Sequence, residues 1–93
     1  MNESRHSEEE LIRLSQQGDE TAFRFLVEKY KSALFGTAYL ILQNYQVTEE
    51  AVQETILKMW GHLPSLRDNN KLKPWLIRIV VNEARQLLRK KRV

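Results

Sequence analysis

Arg78, Asn82, Arg85 and Arg89 fall at offsets of four, seven and eleven residues, which puts all four on one side of an α-helix. A row of guanidinium groups can pair with successive phosphates, and an Asn amide among them offers a donor and an acceptor to a base edge. Lys90, Lys91 and Arg92 extend the row. The plainer reading is a solvated face, but acids are nearly absent from this one, which tips the balance toward a nucleic acid. Just upstream, Arg67, Asp68, Asn69 and Asn70 are short or forked polar groups able to hydrogen-bond an unstacked base, with Leu66, Leu72 and Trp75 as apolar walls. Asp-Asn-Asn is also ordinary turn chemistry, so on its own this segment reads as a turn. A third patch, Glu49, Glu50, Gln53 and Glu54, lies opposite Val52, Ile56 and Met59. It could dock a basic helix of a partner, or it could be surface that favours the positive end of a helix dipole.

Enzyme chemistry has little to stand on. His6 and His62 are far apart and neither has a second ligand at metal spacing. No Gly-rich phosphate loop, nucleophile elbow or Cys/His pair occurs. The chain has no Cys, which excludes a disulfide framework and thiolate chemistry. Trp60, Trp75 and Tyr30 sit at helical positions where aromatic side chains usually belong to a core. A non-enzymatic binding module with no cofactor, metal or small-molecule substrate is expected.

The distribution of charge says more than its sum of +3. Residues 1–60 hold six Lys/Arg against ten Asp/Glu, whereas residues 61–93 hold nine against two. Such a split suggests a polyanion for the C-terminal third and a different, basic partner for the remainder, although cations also complement the negative end of a last helix. No apolar run approaches the length of a membrane span, and residues 1–10 are polar and acidic, unlike a signal peptide. A cytoplasmic protein without a membrane partner is the expectation.

The elements that must position these residues are helical. Ninety-three residues, 42% hydrophobic and 29% charged with three Gly and two Pro, suit one folded domain. Ser7 followed by Glu8, Glu9 and Glu10 is a capping-box pattern and opens a first helix over 6–18, with Leu11 and Leu14 buried and Gly18 as its left-handed stop. Asp19 caps a long second helix over 19–43, where Phe23, Leu26, Val27, Tyr30, Leu34, Ala38 and Ile41 repeat at helical spacing. Residues 44–47 read as a turn. Thr48 then caps a third helix over 48–61, with Val52, Ile56, Met59 and Trp60 inward and Gly61 at its end. A loop over 62–73 leads to Pro74, which suits the first turn of a fourth helix over 74–92. There Ile77, Val80, Val81, Ala84 and Leu88 form the buried line. A compact all-α, four-helix domain is predicted.

Together these motifs resemble region 2 of extracytoplasmic-function sigma factors in the sigma-70 family. The likeness runs through Gly18-Asp19, Ala22-Phe23 and Tyr30, through residues 49–54 (Glu-Glu-Ala-Val-Gln-Glu) and Leu63 to Arg67, and then through residues 75–82 and 88–92. The resemblance implies a sigma factor domain that binds core RNA polymerase and recognises and melts the promoter −10 element. By that resemblance Glu49, Glu50, Gln53, Glu54 and Leu57 would dock on the β′ clamp helices. The loop Leu66, Arg67, Asp68, Asn69, Asn70 and Lys71, with Lys73 and Trp75, would capture a base flipped from the non-template strand. Asn82 would lie near a base and Arg78, Arg85 and Arg89 near phosphates. An anti-sigma protein is a further partner the resemblance allows. It also implies that the second helical domain of the family, which reads the −35 element, is absent from this chain. Leu66 and Leu72 stand where the family often has Phe, Glu50 and Gln86 where Asp is common, and Lys71 and Lys73 make the loop more basic, so the captured base is left open. Two other readings compete. A duplex-reading regulator would need base-reading side chains at the start of its recognition helix, where Pro74-Trp75-Leu76-Ile77 looks made for packing. A pure protein-interaction domain would leave an apolar stripe exposed.

Overall fold

The computed structural model describes residues 7–91. Four helices follow one another: α1 (Glu8–Gln16), α2 (Glu20–Leu42), α3 (Tyr45–His62) and α4 (Leu72–Lys91). Two short 3-10 turns, Leu63–Ser65 and Asn69–Lys71, link α3 to α4, and no strand occurs among the described residues. The all-α expectation holds. His6 and Arg92, the expected outer limits of the first and last helices, lie outside the described residues.

Local chemistry sets most of the boundaries. The Ser7 hydroxyl accepts from the Glu10 amide at 3.0 Å, satisfying one of the donors a helix start leaves over. At the other end Gly18 takes φ +97°, which costs a residue without Cβ nothing. Asp19 Oδ1 accepts from Ala22 N at 3.1 Å and starts α2 as expected. Gln43, in the left-handed region at φ 54°, closes α2 by donating its backbone amide to Tyr39 O at 2.8 Å and its side-chain amide to Tyr39 O and Leu40 O.

Several boundaries differ from the sequence reading. α1 ends at Gln16, short of Gly18, and α2 spans Glu20–Leu42, within the expected 19–43. The third helix begins at Tyr45 and not at Thr48, because Asn44 is an equally good cap and its side chain accepts from Val47 N at 2.9 Å. Thr48 is instead buried one turn in, its hydroxyl donating to Asn44 O at 2.6 Å. Gly61 does not end α3; without a positive φ there, the helix runs on to His62. Finally α4 starts at Leu72, so Pro74 occupies its first turn, where an absent N–H is no loss.

Helices α2, α3 and α4 pack against one another, and α1 lies on α2. The buried line of α4 is Leu72, Leu76, Val80, Ala84 and Leu87, so only Val80 and Ala84 of the expected line are interior. Ile77 and Val81 flank it, half-buried against the core. The phase is displaced because α4 is gripped from two sides, by α2 and α3, and apolar residues on both flanks blur its stripe. On α1 the buried positions are Ile12 and Ser15, with Leu11 half-buried beside them. The interior of α3 likewise includes Thr48 and Thr55, whose hydroxyls bond back to carbonyls four residues earlier. Trp60, expected inside, is 38% exposed and meets Phe23 edge-on, ring centroids 4.7 Å apart.

Candidate nucleic-acid interface

On α4, Arg78, Asn82, Arg85 and Arg89 are all exposed. At 100° per residue their mean direction lies about half a turn from the line Leu72, Leu76, Val80, Ala84 and Leu87, so the row points straight away from the core. Among the described residues, ion pairs join Arg13 to Glu10, Lys29 to Glu8, Lys31 to Glu28 and Lys58 to Glu83. None of them engages the arginines of the row. A helix dipole acts only over the last turn, and Arg78, Asn82 and Arg85 precede it, so dipole complementarity does not account for the row.

The segment between α3 and α4 is a pair of tight turns. Leu66 N donates to Leu63 O and Lys71 N to Asp68 O, each at 2.9 Å, and Asp68 Oδ1 accepts from Asn70 N at 3.0 Å. Arg67, Asp68, Asn70, Lys71 and Lys73 are exposed, while Leu66, Asn69 and Trp75 are half-buried. Leu72, expected as an apolar wall, is fully buried instead, because it begins the core line of α4.

Two open cavities flank this segment. One of about 390 Å³ gathers Asn69, Asn70 and Lys73 with Glu8, Glu9, Ile12 and Tyr30. The other, of about 560 Å³, gathers Leu66, Arg67 and Asn69 with Ser7, Glu9, Glu10, Arg13 and Gln16. Asn69 lines both. The wall facing the loop in each is α1, and not the arginine row of α4. Gln16 holds this arrangement, its Nε2 donating to Leu63 O at 3.0 Å and to Leu66 O at 2.9 Å. The N-terminal end of α1 is tied to α2, where Tyr30 Oη donates to Glu8 Oε2 at 2.6 Å and Lys29 Nζ donates to Glu8 Oε1. Burial pushes the Glu8 carboxyl up, but the hydrogen bonds from Lys29 and Tyr30 and the lysine's charge outweigh it, leaving the group below its ordinary value. Burial and the hydrogen bond to Glu8 raise the Tyr30 phenol.

On α3 the residues facing away from the core are Glu49, Glu50, Gln53, Glu54 and Leu57, and all are exposed, Leu57 to 64%. With the helix starting at Tyr45, Glu49 and Glu50 fall in its second turn and no acid occupies the first. The dipole explanation of these acids therefore weakens. The patch also divides. Glu49 and Gln53 line an apolar-floored groove against α2 with Phe35, Tyr45 and Ile56, whereas Glu50 and Glu54 line a polar groove against α4 with Lys58, Glu83 and Lys90. In that second groove Lys58 Nζ reaches Glu83 Oε2 at 2.5 Å. The bond from Glu83 and its charge raise the lysine's pKa, with a smaller contribution from Glu54.

Gln16, Lys58 and Glu83 escaped the sequence reading. Nothing local to Gln16 signals a contact with residues 63 and 66. For the pair a signal existed: Glu83 is the one acid of α4, and Lys58 the one Lys or Arg of α3. Among the described residues no helix is long and apolar enough to cross a membrane, and no group of His, Cys, Asp or Glu could hold a metal ion.

With this geometry in place, comparison with known proteins is specific. The family described as Sigma-70 region 2 matches residues 26–93, and the chain belongs to that family. Among its relatives, the ECF RNA polymerase sigma factor SigW of Bacillus subtilis is 31% identical over 81 residues, covering 87% of this chain and 43% of that protein. The ECF RNA polymerase sigma-E factor of Haemophilus influenzae is 30% identical over 82 residues, covering 88% and 43%. The chain thus spans less than half the length of these curated relatives. A solved NMR structure, an engineered region 2 of sigmaE in complex with GTAAAA, superposes with a TM-score of 0.85 at 30% identity, covering 98% of this chain and 94% of that one. The resemblance read from the motifs, to region 2 of ECF sigma factors, is borne out.

Proposed function

We propose that this chain joins core RNA polymerase to promoter DNA at the −10 element, binding the first through the outer face of α3 and the second through α4 and the turns before it. The observation that carries the reading is the row Arg78, Asn82, Arg85 and Arg89, which is exposed, takes part in none of the ion pairs among the described residues and faces directly away from the core. Side chains arranged in this way can follow a phosphate backbone, with Asn82 placed to touch a base. Leu66, Arg67, Asp68, Asn69, Asn70 and Lys71, with Lys73 and Trp75, would accept an unstacked base of the non-template strand. Unstacking needs only a few kcal/mol, so binding to the opened strand can drive melting without nucleotide hydrolysis by this chain. Glu49, Glu50, Gln53, Glu54 and Leu57 would meet the β′ clamp helices, acid and amide groups against cations with Leu57 as the apolar anchor. The relative solved with GTAAAA supports the nucleic-acid half of the reading.

A pull-down with isolated β′ clamp helices, scored beside binding to a −10 non-template oligonucleotide, tests both halves. Capture by the clamp helices and preference for the single strand over the duplex are expected. Preference for the fully paired promoter would favour a duplex-reading regulator instead.

A further inference from the structure

We infer that Gln16 is the positioning residue of the base-accepting loop, and that α1 serves as the loop's rigid backing. The inference rests on the reading of residues 66–71 as the segment that accepts a base. The hydrogen bonds within and beside the segment are local: Ser65 Oγ donates to His62 O at 2.7 Å, and the bonds of Leu66, Asn70 and Lys71 reach back two or three residues. Local bonds of that kind set the shape of each turn but not its attitude to the rest of the molecule. Gln16 supplies what they lack. One nitrogen donates to the carbonyls of Leu63 and Leu66 across 47 and 50 residues of sequence. Since both partners are acceptors, the side-chain amide can sit only one way round.

The two carbonyls differ in how else they are held. Leu63 is fully buried, so its side chain fixes its backbone without help. Leu66 is half-buried, and the peptide that follows it carries Arg67. The bond to Leu66 O therefore sets the plane of the peptide joining Leu66 to Arg67, and with it the directions in which Arg67 and Asp68 leave the turn. Gln16 also lines the larger of the two cavities beside the loop, between Arg13 and Leu66, so its removal would open that cavity and loosen the loop together. Because α1 is tied to α2 through Glu8, Tyr30 and Lys29, the backing has an anchor that does not depend on the loop.

Gln16→Glu keeps the shape and removes both donors, setting a carboxylate against two carbonyl oxygens. Gln16→Lys restores a donor. The test is selection by the chain from a pool of single-stranded 12-mers randomised at six positions. The wild-type chain is expected to enrich one base strongly at one position. In Gln16→Glu that preference falls by roughly tenfold, the scale set by one or two net hydrogen bonds. Gln16→Lys recovers a large part of the preference. Circular dichroism of each variant, matched to the wild type, separates positioning from unfolding. If Gln16→Glu is helical yet selects as the wild type does, the role assigned to Gln16 is wrong. If the wild-type chain enriches no base at any position, base capture by the loop itself is wrong and the role falls with it.

Discussion

On α4 the face opposite the core carries Arg78, Asn82, Arg85 and Arg89; on α3 the corresponding face carries Glu50, Gln53, Glu54, Leu57 and, nearly one turn beyond Leu57, Trp60. Both helices use the same geometry, a buried line with a row of exposed residues on the far side. They differ in sign and in apolar content. The α4 row holds cations and one amide, whereas the α3 row mixes acids and an amide with a Leu that is 64% exposed and a Trp that is 38% exposed. A row of bare cations suits a chain of phosphates, which is polar along its whole length. Acids around apolar anchors suit a folded protein surface, where a few buried side chains carry most of the affinity. The charge that would spoil each row is instead paired with its opposite: Lys58 of α3 meets Glu83 of α4 where the two helices adjoin.

The largest loss is expected from α4. Replacing Arg85 and Arg89 together by Ala should weaken binding of a single-stranded −10 oligonucleotide by tenfold or more at about 0.1 M salt. It should also flatten the log-log salt dependence by about 1.4, at roughly 0.7 for each phosphate left without its arginine. Binding to the clamp helices should not change. The reciprocal change on α3, Gln53→Ala with Leu57→Ala, should weaken clamp-helix binding by about 1–2 kcal/mol, or roughly five- to thirtyfold, and spare the oligonucleotide. Stability should hardly move, since both side chains are exposed.

Between the two faces, Lys58→Ala leaves Glu83, whose side chain is 8% exposed, without its cation. A fully buried pair broken in this way costs about 3–5 kcal/mol; the lysine end is open to water, so about 1–2 kcal/mol is expected from urea unfolding. Lys58→Ala with Glu83→Gln should recover part of that deficit. The lysine's pKa is raised by folding, so its contribution is complete below its ordinary value near 10.5 and fades as pH rises through the folded value. The smallest effect belongs to Glu8. Its folded pKa is lowered, so the tie to Lys29 and Tyr30 contributes above the ordinary value near 4.5 and disappears as pH falls through the folded value. Glu8→Gln should cost about 0.5 kcal/mol at pH 7, and the gap to the wild type should close as pH falls below the ordinary carboxylate value and through the folded one, read as urea midpoints.

Much of this was legible in the residues themselves. The turn at Gly18-Asp19 and the long α2 follow from a required left-handed residue, a strong cap and an unbroken helical period. The arginine row was legible because its spacing is local. What escaped was either ambiguous or distant. Asn44 and Thr48 are both good caps, and only burial of Thr48 decides between them. Thr48 and Thr55 read as polar surface, yet each satisfies its hydroxyl within its own helix and so can enter the core. The phase of α4 was blurred because it packs on two neighbours. Gln16 and Leu66 meet across 50 residues, a distance over which no local pattern speaks.

The separation of the two faces is the claim on which the rest depends, and an NMR titration of the labelled chain with a single-stranded −10 oligonucleotide addresses it directly. Amide shifts are expected at residues 66–71 and along 78–89, with residues 49–57 unmoved until clamp helices are added. Shifts centred on residues 49–57 with the oligonucleotide alone, or none along α4, would contradict the account.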